Sequence, residues 1–286
     1  MRMTDSREHG SGRGGPAEKD TLLIRFLYRT LPGRCLLRGL TAPSFSKMMG
    51  RLLSSRPSRI LVPYYIRRYR IDMTGCLKTH FDSFNDFFTR EKVLTIEAGA
   101  RDVISPCDGF LSCYTIGDDL TLRIKKSRYT TAGLLRSDAL AAEFSGGDAL
   151  VFRLEPRHYH RYLYCLDGKI ERTMTIPGIL HCVRPTACGT YPVYTENARQ
   201  YTVIRSPGAG TVIQMEIGAL MVGRICNHGM EHYAVKGREK GWFEFGGSTI
   251  VLLFQKGAVD LRAIKKDLPE GTERPVCIGE VIGQSG

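Results

Sequence analysis

The sequence predicts an α+β protein, with an N-terminal amphipathic helical segment followed by a largely antiparallel β domain. Three observations predict it. Phe45, Met48, Met49, Leu52 and Leu53 recur at the spacing of one helical face. From about Val103 onward the pattern changes to short β-branched and aromatic runs punctuated by Gly, Pro, Asp and Asn. No alternation of strand and helix of the βαβ kind appears.

Residues 1–20 are polar and Gly-rich and predict a disordered N-terminus. A segment spanning 21–72 follows, in which Leu23, Ile24, Leu27 and Leu31 repeat the apolar helical theme. Pro32-Gly33 and Ala42-Pro43 divide it into short helices. The third segment, 73–286, is the β-rich domain. It opens with a helix begun by Ser83, whose hydroxyl caps the first turn with Asp86 closing a capping box. That spacing turns Phe84, Phe87 and Phe88 inward. Strands are predicted at Phe110–Tyr114, 120–124, Ala149–Leu154, Arg161–Tyr164, Tyr201–Ile204, Thr211–Glu216, 220–225 and Ser248–Phe254, with a small helix near Thr131–Arg136. Residues 278–283 predict a closing hairpin.

The net charge of +12 is concentrated. Residues 21–70 hold eleven Arg and Lys and no Asp or Glu, leaving 30 basic against 29 acidic residues elsewhere. Apolar faces flanked only by basic residues have the profile of interfacial membrane helices. Near an anionic leaflet each such cation contributes on the order of 1 kcal/mol. Nucleic acid is the rival anionic partner, but no nucleic-acid fold motif or aromatic-basic platform supports it. The nine cysteines are scattered, odd in number and without a Cys-x-x-Cys pair, which argues against a disulfide framework or a zinc site and for a reducing compartment. There is no signal peptide and no apolar run long enough to span a bilayer, so the expectation is peripheral attachment on the cytosolic face of the cell membrane.

The chemistry is sought at Trp242–Phe254, where Gly246-Gly247-Ser248-Thr249 opens an apolar strand. A Gly-Ser pair at a strand mouth is most often a tight turn. It also offers a hydroxyl beside an uncrowded carbonyl. Ser248 Oγ can add to the Gly247 carbonyl, giving an N→O acyl shift. β-Elimination then leaves dehydroalanine, which hydrolyses to ammonia and a pyruvoyl group. Such a step needs a base, most simply a His oriented by a carboxylate. Asp108 lies in a Ser-Pro-Cys-Asp-Gly turn, and His160 in the strand beginning Tyr159-His160-Arg161, with His158 two residues earlier on the same face. Arg161 and Arg199 are candidate partners for substrate anions. His228, Glu231 and His232 lack the helical context and neighbouring Glu of a metal site, so no metal is expected, and Gly237-Arg238-Glu239-Lys240-Gly241 reads as a glycine-bounded loop that, with no following helix, is no phosphate cradle.

Phe84-Asn85-Asp86-Phe87-Phe88-Thr89-Arg90, Ser105-Pro106-Cys107-Asp108-Gly109, Tyr159-His160-Arg161, Asn197-Ala198-Arg199, Gly218-Ala219-Leu220-Met221-Val222-Gly223 and Gly246-Gly247-Ser248-Thr249 occur in this order. Together they resemble the pyruvoyl-dependent phosphatidylserine decarboxylases, from about Leu22 to the C-terminus. The resemblance implies self-cleavage between Gly247 and Ser248 into a large and a small chain, with a covalent pyruvoyl cofactor made from Ser248. Asp108, His160 and Ser248 map onto the maturation triad. The pyruvoyl group would form a Schiff base with phosphatidylserine and release carbon dioxide to give phosphatidylethanolamine. A homodimer is implied as well. One departure stands out: Leu163 occupies the place of a second His in many members. Either His160 serves both maturation and turnover, or another His such as His181 takes one role. The other readings are a pyruvoyl decarboxylase of a soluble amino acid, and a non-enzymatic basic membrane-surface module.

Overall fold

The computed structural model describes residues 22–286 except 120, 125, 126, 184, 189, 221–223 and 230. The disordered stretch expected at 1–20 lies outside these residues.

Five helices come first: α1 (Leu22–Arg29), α2 (Leu31–Leu40), α3 (Pro43–Leu53), α4 (Leu61–Tyr69) and α5 (Phe84–Phe88). The breaks fall where proline chemistry places them. Pro32 stands in the first turn of α2, behind Thr30, whose hydroxyl accepts from Gly33 N–H. Pro43 opens α3. Ser83 caps α5 by accepting from Asp86 N–H at 3.1 Å. The reciprocal half of the capping box is not made: Asp86 instead accepts from Asp82 N–H and pairs with Lys78.

The strands are β1 (Asp102–Ile104), β2 (Gly109–Thr115), β3 (Thr121–Ile124), β4 (Ser127–Thr130), β5 (Asp148–Leu154), β6 (Arg161–Leu163), β7 (Gly168–Ile176), β8 (Arg199–Ser206), β9 (Gly210–Gly218), β10 (Ile225–Asn227), β11 (Tyr233–Ala234), β12 (Glu239–Phe243), β13 (Ser248–Phe254), β14 (Val259–Asp260), β15 (Arg274–Val276) and β16 (Val281–Ser285). Short helices α6 (Thr131–Leu135), α7 (Asp138–Ala142), α8 (Pro185–Cys188), α9 (Val193–Glu196) and α10 (Arg262–Asp267) fill the connections. An eight-stranded antiparallel sheet runs β11-β7-β8-β9-β13-β5-β2-β15. A small sheet, β10-β12-β6, stands apart from it. The two are tied by a fully buried ion pair between Glu216 of β9 and Lys240 of β12. β13 sits between β5 and β9, and every one of its residues is buried. Its unbroken apolar run is what a strand covered on both faces requires.

Four expectations need correcting. Of the strand expected at 220–225, residues 221–223 lie outside the described residues, Leu220 lies in a turn, Arg224 is irregular and β10 starts at Ile225. The C-terminal hairpin is absent: β15 joins the large sheet against β2, whereas β16 pairs with β1 and β14. His158 and His160 precede β6 in irregular backbone and send their rings to different neighbours, Phe110 and Phe88. The stretch 237–241, read as a glycine-bounded loop, contains the start of β12. The sequence reading also passed over β7, whose centre is exposed and polar and so lacks the apolar alternation that marks a half-buried strand.

Candidate active site

The site is built where β12 turns into β13. Phe245 leaves β12 and plants its ring edge-on against Phe84 and Phe88 of α5, each at 5.1 Å between centroids. Asn85 Oδ1 accepts from Phe245 N–H at 3.3 Å. Gly246 follows with φ of +142°, a conformation that a side chain resists. Gly247 is less constrained: a Cβ there would meet Val183 Cγ2 at 3.7 Å and Ala219 Cβ at 3.9 Å, ordinary contact distances. Ser248 then enters the sheet opposite Leu154 and Gly218 and is fully buried. Its Oγ has no hydrogen-bond partner among the described residues. A buried hydroxyl normally finds one, because leaving it unpaired costs about 1–3 kcal/mol.

His160 supplies a second orphan. The ring is fully buried and tilted against Phe88, with 4.2 Å between centroids. Nδ1 lies 2.9 Å from the His158 carbonyl, which can only accept, so Nδ1 carries the proton. Nε2 is therefore a bare lone pair, buried and without a donor among the described residues. Burial lowers the pKa to about 3, and the nearby Arg90 guanidinium acts in the same direction. The Gly246 carbonyl, two residues from Ser248, opposes this by favouring the protonated ring. The imidazole is thus neutral at physiological pH, and a carbonyl stands ready to accept from it once it gains a proton.

Asp108 does not complete a hydrogen-bonded chain to that ring, because the His158 carbonyl occupies Nδ1. Its Oδ1 accepts from Ile278 N–H at 2.8 Å. Tyr159 N–H is a further partner. Burial raises its pKa, against those two donors and the charges of Lys92 and Arg90. Asp108 therefore anchors the backbone one residue before His160.

The other candidates fall elsewhere. His181 is stacked on Tyr191 at 4.5 Å, with Nδ1 toward the Tyr28 hydroxyl and Nε2 toward Glu196, both at 3.4 Å. Its ring faces the helical segment. Leu163 is buried, with its backbone held by Pro106 and Gln214. Arg199 is not an anion contact: its guanidinium donates to the carbonyls of Leu134, Thr195, Asn197 and Gly133. Arg161 is likewise occupied by Glu91, Glu239 and the Thr89 carbonyl. His228 Nε2 lies 2.8 Å from Glu239. Asn197 is a clamp, bonding the backbone of His181 on both sides and the Gly218 carbonyl.

Sequence reasoning gave α5 no part in the site, yet Phe88 carries the His160 ring and Asn85 holds the turn before the serine. Helical spacing had shown that these rings point inward but not what they meet. A cavity of about 190 Å³ reaches this turn, lined by Ile24 of α1, Cys182, Val183, Leu220, Gly246 and Gly247 among others.

Residues 84–284 match the family described as phosphatidylserine decarboxylase. A phosphatidylserine decarboxylase proenzyme 2 from Clostridium acetobutylicum is 39% identical over 267 residues, covering 92% of this chain and 91% of the relative. Phosphatidylserine decarboxylase proenzymes from Clostridium tetani and Ruminiclostridium cellulolyticum are each 34% identical, over 249 and 271 residues. These two cover 84% and 91% of this chain, and 84% and 90% of their own.

Proposed function

The chain belongs to the phosphatidylserine decarboxylase family, and on that premise we propose that it cuts itself between Gly247 and Ser248 to make its own pyruvoyl group. It is a carboxy-lyase that converts phosphatidylserine to phosphatidylethanolamine. The observation that carries the maturation step is a pair of buried atoms without a hydrogen-bond partner among the described residues, Ser248 Oγ and His160 Nε2, with the imidazole against the backbone of Gly246, two residues before the serine. The room beside Gly247 fits a carbonyl open to attack.

In the proposed step His160 Nε2 takes the Ser248 hydroxyl proton as Oγ bonds to the Gly247 carbonyl carbon. The carbon–nitrogen bond breaks, and the proton passes to the departing amine. Loss of the Ser248 Cα proton then breaks the Cβ–Oγ bond and leaves Gly247 with a carboxylate. Water converts the resulting dehydroalanine to a ketone and ammonia. When formed, the pyruvoyl group supplies an electron sink for the pair released with carbon dioxide. In this reading His160 also holds and returns the proton in turnover. Asp108 keeps the Tyr159–His160 backbone in place. Ser248→Ala tests the cleavage: the expected product is a folded, uncut and inactive chain. A cut Ser248→Ala chain would refute the assignment.

The same reading puts the helical segment on an anionic bilayer. Leu22, Leu23, Phe26, Leu31, Leu36, Met48, Leu52 and Ile60 are all exposed among basic residues. No helix among the described residues is long and apolar enough to cross a membrane. Surface insertion of such side chains yields about 1.5–3 kcal/mol each when fully buried. Replacing Leu23 and Leu52 with Ser is expected to weaken co-sedimentation with phosphatidylserine vesicles at least tenfold. Unchanged binding would remove this surface from the account.

A further inference from the structure

A second cavity, of about 580 Å³, shares a wall with the one beside Gly247. The wall is the 181–183 segment. His181 lines this cavity, whereas Cys182 and Val183 line the other. The Tyr28 hydroxyl braces the wall, accepting from Cys182 N–H at 2.8 Å and standing 3.4 Å from His181 Nδ1. Arg34 and Arg38 of α2, together with Glu196 and Tyr191, are among its lining residues.

Among the described residues, the charges around it are not neutralised. Arg38 makes no ion pair among the described residues, and Arg34 Nε reaches only the Tyr28 carbonyl, at 3.4 Å. Among the described residues Glu196 faces only His181 Nε2, also at 3.4 Å. Burial lowers the His181 pKa, so at neutral pH the ring gives Glu196 no counter-charge. The cavity therefore offers two guanidinium groups and one carboxylate. Leu31, 77% exposed, lines it as well, so it opens beside the apolar face assigned to the bilayer. Its volume is in the range of small-molecule sites.

A phosphoserine headgroup carries the complementary set: a phosphate, a carboxylate and one primary ammonium. We propose that this cavity is a docking site for the headgroup of phosphatidylserine, separate from the reaction pocket. Arg34 and Arg38 take its two anions and Glu196 takes its ammonium. The inference rests on the lipid-decarboxylase reading and adds a place where substrate is selected before it reaches Gly247.

The test uses the full-length Ser248→Ala chain and calorimetric titration with glycerophosphoserine. Glycerophosphoglycerol and inorganic phosphate are the comparison ligands. Glycerophosphoserine is expected to bind at least tenfold more tightly than either. Glu196→Gln should reduce that preference to under threefold, and Arg38→Gln should weaken glycerophosphoserine about tenfold. Both side chains are partly exposed, and melting curves check that the variants fold. Vesicles of phosphatidylserine against phosphatidylglycerol at equal charge distinguish lipid from free headgroup, with the preference expected in both formats. Equal binding of the glycerol analogue, or a preference untouched by Glu196→Gln, would overturn the proposal. Self-cleavage of the wild-type chain is scored separately, so failure of the maturation reading and failure of this site are told apart.

Discussion

The His158 carbonyl stands 2.9 Å from His160 Nδ1, and this contact decides which nitrogen of His160 is available. With Nδ1 protonated, Nε2 is the basic atom, and burial keeps it unprotonated at every pH near neutrality. An ordinary His would lose its base form below about pH 6.5. The wild-type maturation rate is therefore expected to stay level from pH 8 to pH 5. A decline centred near pH 6.5, in a time course of cleavage on denaturing gels, would mean that the base is a solvated imidazole elsewhere.

The same burial has a cost in acid. His158 and His160 both have folded values of about 3 against an ordinary 6.5. Because the folded value is depressed, the unfolded chain takes up protons first as the pH falls. The stability is present in full above pH 6.5 and is lost as the pH drops towards 3. Denaturation midpoints should be flat above pH 7 and fall below 6.5, with up to two protons linked to unfolding. His160→Gln should remove about one of them and also abolish cleavage.

Asp108 touches backbone rather than the imidazole, and this separates it from a charge-orienting triad member. Asp108→Asn keeps an oxygen for Ile278 or Tyr159 N–H, whereas Asp108→Ala keeps none. Maturation is expected to slow at least tenfold in the Ala variant and by less than threefold in the Asn variant. Equal loss in both would show that the negative charge itself matters.

The two glycines before Ser248 should respond differently. Gly247→Ala has space for its methyl and should fold within about 1 kcal/mol of wild type, while the added bulk beside the carbonyl slows cleavage. Gly246→Ala must hold a side chain at φ +142° and should lose about 1–3 kcal/mol. Melting and cleavage of both variants check this, and the reverse order would contradict the turn geometry.

Glu216 and Lys240 couple the small sheet to the large one in the interior. Burial raises the carboxyl and lowers the ammonium pKa, each opposed by the partner. Lys240→Met alone strands a buried carboxylate and is expected to cost about 3–5 kcal/mol in urea unfolding. Glu216→Leu added to it should recover most of that loss. An additive double variant would mean that the pair is not coupled.

Much of this was legible before the fold was seen. The β13 run, the inward phenylalanines of α5 and the basic helical segment are local patterns, and periodicity reads them directly. The roles of Asn197, Asn85 and Phe245 were not legible, because each depends on a partner many residues away. Arg199 misled for the same reason: a cation in a motif looks like an anion site until its guanidinium is seen to be saturated by carbonyls. Leu163 marked a missing imidazole, but only the contact with the His158 carbonyl shows that Nε2 of His160 is the unprotonated ring nitrogen.

The central claim is tested most directly by mass spectrometry of the active wild-type protein after treatment with phenylhydrazine. The account predicts two chains, one ending at Gly247 and one spanning residues 248–286, with the hydrazine mass added only to the start of the short chain. An active preparation consisting of a single uncut chain, or a short chain that begins with an unmodified serine, would contradict it.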